Sequence, residues 1–120
     1  MNLPSSVVSI HPYFKAHPGK MAAIKELLSA FIEKTATEDD NFYYEFTING
    51  DEIFCREGYA DARSVLGHLS NVNAELGEML KLSDLIRLEF HGPAAEIEKL
   101  REPLSGLNPT FFVVERGVVR

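Results

Sequence analysis

Tryptophan is absent from this sequence, and cysteine occurs once. No apolar run approaches the roughly 18–20 residues of a bilayer-spanning helix, so no membrane span is expected. The lone Cys55 excludes an internal disulfide framework and suits a reducing, cytoplasmic compartment. Basic residues are also in deficit: 12 Lys and Arg stand against 18 Asp and Glu, a net charge of −6. With no basic cluster to offset that balance, neither nucleic acid nor an anionic membrane surface is an expected partner. The amino terminus, "MNLPSS", has neither a basic start nor an apolar stretch, so no signal peptide is expected. Phosphate loops, Rossmann glycine patterns, nucleophile elbows and recognisable metal-ligand spacings are all missing. The expectation is a protein without metal, flavin or nicotinamide. At 120 residues, the whole span 1–120 reads as one domain.

What is present is a regular alternation of strand and helix signals. "VVSIHPYF" (7–14) is rich in β-branched and aromatic residues and reads as a strand. After "HPGK" (17–20), Met21, Ile24, Leu27, Leu28, Phe31 and Ile32 recur at helical spacing up to about Thr37. A polar loop, "TEDDN", leads to "FYYEFTI" (42–48) and "EIFCREGY" (52–59), two strands joined at Asn49-Gly50. From Asp61, a stripe of Val65, Leu69, Val72, Leu76, Met79 and Leu80 predicts a second helix. "LIRLEFH" (85–91) is a fourth strand, and "AAEIEKLREPL" a third helix that Pro103 should kink or end. "TFFVVE" (110–115) closes the chain as a strand. The order is βαββαβ with an extra C-terminal helix and strand, which predicts an α+β, ferredoxin-like fold.

One carboxylate in this pattern is out of place. With Asn49 and Gly50 as the hairpin loop, Phe46 pairs with Ile53, Tyr44 with Cys55, and Phe42 with Glu57. Side chains alternate across a strand, so these residues share the face that helices should cover, with Tyr59 beyond them. Glu57 then points into an apolar layer, where an unpaired carboxylate is costly. It is either a strand-end charge that reaches water or a helix amide, or a group in a ligand pocket. A one-residue slip would reverse the assignment. His68 lies on the flank of the second helix, either partly exposed or looking into a pocket mouth, where its near-neutral pKa suits proton transfer. Cys55 reads as a small core residue rather than a nucleophile. His11, which alternates with Ser9 and Tyr13, joins Arg87, Glu89, His91, Tyr43, Glu45 and Arg56 on a second, polar face, solvated or covered by a partner.

The run "YEFTINGDEIFCREGYADARSVLGHL" resembles the antibiotic biosynthesis monooxygenase family, in which a Tyr-bearing strand, a hairpin, a Glu-x-aromatic pair and a His-bearing helix follow one another. These features fall on Tyr44, Glu57, Tyr59 and His68, and "HPGK" is similar to the family's Pro-Gly entry to its first helix. The resemblance covers roughly residues 7 to 91. It implies a homodimeric α+β barrel, in which two sheets face each other, and a ligand cavity between sheet and helices. Known members include cofactor-independent oxygenases of quinols and polyketide aromatics, and haem-degrading enzymes. The family's usual tryptophan after the glutamate is Tyr59 here, which counts against haem degradation.

The resemblance therefore implies a cofactor-independent monooxygenase of a small electron-rich aromatic. His68 and Glu57 are the candidate catalytic residues, and Tyr44, Tyr59, Phe42 and His11 the candidate substrate contacts. The alternatives are a non-catalytic small-molecule-binding or stress-related protein on the same dimer and, third, a haem-binding or haem-degrading protein.

Overall fold

The computed structural model describes residues 2–120. Among these the chain forms β1 (Val8–Ala16), α1 (Met21–Thr35), β2 (Asn41–Asn49), β3 (Glu52–Tyr59), α2 (Ala62–Asn71), α3 (Asn73–Leu82), β4 (Ser83–Gly92), α4 (Ala94–Arg101) and β5 (Thr110–Val113). The sheet order is β2-β3-β1-β4-β5. Its first four strands pair antiparallel as a ferredoxin-like sheet, and β5 joins β4 in parallel after the α4 crossover. Among the described residues no helix is long and apolar enough to cross a membrane.

The hairpin differs from its expected register for a clear reason. Asn49 pairs with Glu52, so Gly50-Asp51 is the two-residue loop, with Gly50 at φ +60° in the first loop position. That is where a type II′ turn requires glycine, whereas the Asn-Gly pair predicts Asn49-Gly50 as the loop. Phe46 therefore faces Cys55, and Tyr44 faces Glu57. The displacement is even, so the side chains from Tyr43 through Tyr59 keep their expected faces. Near Asn41 the register shifts again, leaving Phe42 as the extra residue of a bulge. The Asn41 amide braces it by donating to the Tyr43 carbonyl at 3.0 Å. Across from Tyr43, Gly58 lets the tyrosine ring lie over the backbone: a Cβ there would fall 2.7 Å from the ring and push it aside.

β1 carries Pro12 in the middle of the sheet, where a missing N–H ordinarily breaks a ladder. Pairing to β3 skips His11 and Pro12, and the register with β4 shifts after Tyr13, so the irregularity absorbs the missing donor. The predicted second helix is interrupted at Val72 and becomes α2 and α3. Asp61 caps α2 by accepting from the Ser64 amide at 2.8 Å. At the other end, the flanking Asn71 turns its side chain to the Lys34 carbonyl. The last helix stops at Arg101, two positions before Pro103, as the proline requires.

Helices cover one face of the sheet, and the core there falls into two clusters. The first joins Val8, Ile10, Tyr59, Val65, Phe90, Ile97 and Leu100; the second joins Phe14, Ile24, Phe31, Ile53, Val72 and Met79. The C-terminal extension belongs to the first, since Ile97 and Leu100 are fully buried. Truncation of Ile97 to alanine should therefore cost about 2–5 kcal/mol, as for other buried aliphatic side chains. Urea unfolding followed by circular dichroism checks this; a loss below about 1 kcal/mol would mean that α4 is a peripheral addition.

Candidate functional site

Between the sheet and the helices α1 to α3 lies a largely apolar cavity of about 60 Å³, lined by Pro12, Phe31, Tyr44, Cys55, Glu57 and His68 among others. One water occupies roughly 10–15 Å³ on this scale, so the space admits several waters or a small ring. Glu57 lies in β3 between β1 and β2, paired with Ile10 on one side and Tyr44 on the other, and only 5% of it is exposed. It is neither a solvated strand end nor bonded to a helix amide. Instead its Oε1 accepts the Tyr59 hydroxyl at 2.7 Å and stands 3.4 Å from His68 Nε2.

His68 is 2% exposed, not partly exposed. The buried stripe of α2 runs through Ala62, Val65 and His68, so the helix is rotated from the apolar stripe that the sequence predicts. The reason is a polar anchor. His68 Nδ1 lies 2.9 Å from Glu38 Oε2, and the same carboxylate oxygen accepts from the Asn71 amide at 2.9 Å. Glu38 sits in the "TEDDN" loop, which is a folded turn: the amides of Thr37 and Glu38 donate to the carbonyls of Lys34 and Thr35. With Nδ1–H given to Glu38, Nε2 presents its lone pair toward Glu57 and the cavity. The Tyr44 and Tyr59 rings pack against the imidazole at centroid distances of 5.2 and 4.9 Å.

The electrostatics follow from burial. Desolvation pushes the Glu57 carboxyl up to about 8, against the downward pull of its hydrogen bonds with Tyr59 and Cys55; the nearby Glu38 charge adds to the rise. Desolvation also holds the His68 imidazole below its ordinary value, opposed by Glu38. Near neutral pH the site therefore holds a protonated acid beside a neutral base. Burial raises the Tyr44, Tyr59 and Cys55 groups, which stay protonated. Cys55 is thus a buried thiol without thiolate character.

The structure brings together four of the six candidate residues. Tyr44 lines the cavity, while Tyr59 is fully buried and holds Glu57 from behind. Phe42 is not at the site: the bulge displaces it, and it is exposed at the sheet edge. His11 is not there either. It lies on the opposite face, hydrogen-bonded to Ser9 at 2.8 Å, and burial lowers its pKa. Glu38 and Asn71 escape the sequence reading, because a carboxylate in an acidic loop and an asparagine near a helix end carry no local signal of a shared partner.

Fold and site together define a ferredoxin-like α+β protein with an acid–base pocket beneath its sheet. Comparison with solved structures makes the class specific. MupZ from Pseudomonas fluorescens is 38% identical over 95% of this chain and 94% of its own, with a TM-score of 0.90. A candidate antibiotic biosynthesis monooxygenase from Chloroflexus aurantiacus (19% identity, TM-score 0.61) covers 74% of this chain and 94% of its own. Rv0793 from Mycobacterium tuberculosis (23%, TM-score 0.65) covers 73% and 95%. The last two likenesses show the fold alone. No protein-family model matches the sequence, and no curated protein does. The chain belongs to the same family as MupZ, and its fold is that of the candidate antibiotic biosynthesis monooxygenase.

The buried acid has a signature in stability. Glu57 is neutral in the fold until about pH 8, whereas in the unfolded chain it ionises near 4.5. Between those values the unfolded state releases a proton that the folded state keeps, so its contribution is complete below 4.5 and is lost as pH rises. Relative to a Glu57→Gln variant, which cannot ionise, the wild type should lose stability by up to about 1.4 kcal/mol per pH unit inside that window. Urea midpoints measured from pH 5 to 9 decide it; parallel curves would mean that Glu57 is ionised in the fold.

Proposed function

We propose that the protein is a cofactor-independent, cytoplasmic monooxygenase acting on a small electron-rich aromatic, a quinol or a polyketide-type phenol. The observation that supports this reading is the pairing of a neutral His68, oriented by Glu38, with a protonated Glu57 side by side on the wall of an apolar cavity. His68 Nε2 removes a substrate proton, and Glu57 donates a hydrogen bond to the oxygen on which negative charge develops. Apolar walls strengthen both interactions by excluding water. Tyr44 packs against the ring, and Tyr59 fixes Glu57. The ionised substrate then reduces dioxygen directly and supplies all four electrons: it gains one oxygen atom and loses two hydrogens to reach the quinone level, and the other oxygen leaves as water.

A second reading, redox-neutral proton transfer on the same ligand, is favoured by the presence of both an acid and a base in one pocket. A purely binding role is the third. Haem has no support from the site, since both His68 nitrogens face carboxylates. The open sheet face, with exposed Tyr43 and half-buried Phe54 beside Arg56, supports a homodimer in which a second sheet covers it.

Oxygen uptake with a quinol panel and metal-free protein tests the reaction. Consumption of oxygen with a matching gain of mass supports oxygenation, conversion at constant mass supports the redox-neutral reading, and saturable binding without conversion supports the third. His68→Ala should lower the rate by about 10²–10⁴-fold with binding largely kept. The pH profile should be a bell. Its acid limb follows protonation of His68, below the ordinary histidine value, and its alkaline limb follows ionisation of Glu57 near 8. A rate that climbs steadily through pH 9 would remove Glu57 as the acid. For the dimer, sedimentation at micromolar concentration should return twice the 13.4 kDa chain mass, and a monomer would overturn that proposal.

A further inference from the structure

The helix-free face of the sheet gathers a second set of polar side chains that takes no part in the cavity chemistry. β1 and β4 pair with Ser9 opposite His91 and His11 opposite Glu89. Residues two apart on a strand share a face, so the four form a square of side chains on that face. Ligand atoms of His11, Glu89 and His91 all lie within 4.8 Å of one another. The two imidazole rings are 4.4 Å apart between centroids, and Phe112 stacks on His91 at 4.5 Å, which limits rotation of that ring. Arg87 clamps one carboxylate oxygen, Glu89 Oε2. The other, Oε1, is left facing His91 Nε2 at 2.9 Å.

Two imidazoles and one carboxylate are the donor set that late first-row divalent ions favour over calcium or magnesium. In a tetrahedral zinc site, with bonds of about 2.0–2.1 Å, neighbouring donors stand roughly 3.3 Å apart. Oε1 and Nε2 are already that close, and His11 and His91 are half-exposed, so small side-chain rotations can complete the approach. The Arg87 clamp need not open. It would remain on Oε2 as the outer partner that fixes the ligating carboxylate, as second-shell groups commonly do.

We propose that His11, Glu89 and His91 form a binding site for one divalent transition-metal ion of the zinc class, joining β1 to β4 on the open face of the sheet. Binding replaces the His91–Glu89 hydrogen bond with two metal bonds and leaves one coordination position, which in the proposed dimer lies between the two facing sheets. The site is on the far side of the sheet from Glu57 and His68, so it stands or falls apart from the proposed reaction.

The test is calorimetric titration of the chelator-treated full chain with zinc, with cobalt absorption as a second probe of nitrogen ligation. Zinc should saturate at one ion per chain. His11→Ala, His91→Ala and the near-isosteric Glu89→Gln, each shown folded by circular dichroism, should weaken binding by more than the roughly tenfold typical of a lost outer partner. His17→Ala, which removes the exposed His17–Asp84 pair, should bind as the parent does. Failure to saturate, or saturation unchanged in Glu89→Gln and His11→Ala, would overturn the proposal.

Discussion

A carboxyl group in the middle of an apolar sheet face is the constraint on which the site depends. Leaving Glu57 charged and unpaired there would cost several kcal/mol, comparable to the whole stability of a small domain. The structure meets that cost by keeping the group neutral and bonded rather than by leading it to water. The Tyr59 hydroxyl, two residues along the same strand face, holds one oxygen, and His68 approaches it from the helix layer. Because the fold favours the uncharged form, Glu57 is available as a proton donor near neutral pH.

The same requirement organises the elements around it. His68 reaches Glu57 only because α2 is rotated to bury the imidazole, and that rotation is held by Glu38 and Asn71. Glu38 in turn depends on the turn that ends α1. A chain of polar contacts therefore runs from the α1 terminus through α2 to β3, across a cavity whose other walls are apolar. Its members can be fixed in place without strong Coulombic attraction between full charges. One carboxylate and one carboxyl group flank a neutral ring, an arrangement that a low dielectric tolerates far better than three ions.

The two faces of the sheet are chemically distinct although they share strands. Alternation sends Tyr44, Cys55 and Glu57 to the helix side and Tyr43, Arg56 and Glu45 to the other. On β1 it likewise sends Ile10 inward and His11 outward, so neighbouring residues serve different surfaces. The likeness to MupZ runs through nearly the full length of both chains, including the C-terminal helix and strand. That extension supplies Ile97, Leu100 and Leu104 to the core and Phe112 to the open face, and is part of the fold on both sides.

The number and order of the strands, a two-residue hairpin loop, the end of the last helix near Pro103 and the sheet faces of the hairpin residues other than Phe42 all follow from the sequence alone. Those features rest on local chemistry: period-two and period-3.6 patterns, a glycine able to take positive φ, a proline without an N–H. Glu57, Tyr59 and Tyr44 were legible as a group because alternation sends them to one sheet face, whereas His68 joined them only through the family resemblance, since its apolar stripe left it on the flank of the helix. Only the tertiary structure decided the rest. Which loop residue aims its carboxylate at His68, how far α2 rotates, and that a bulge removes Phe42 from the pocket all follow from contacts between segments distant in the chain. The gathering of His11 with Glu89 and His91 has the same origin, since its three donors come from two strands about 80 residues apart in sequence and no linear spacing could bring them together.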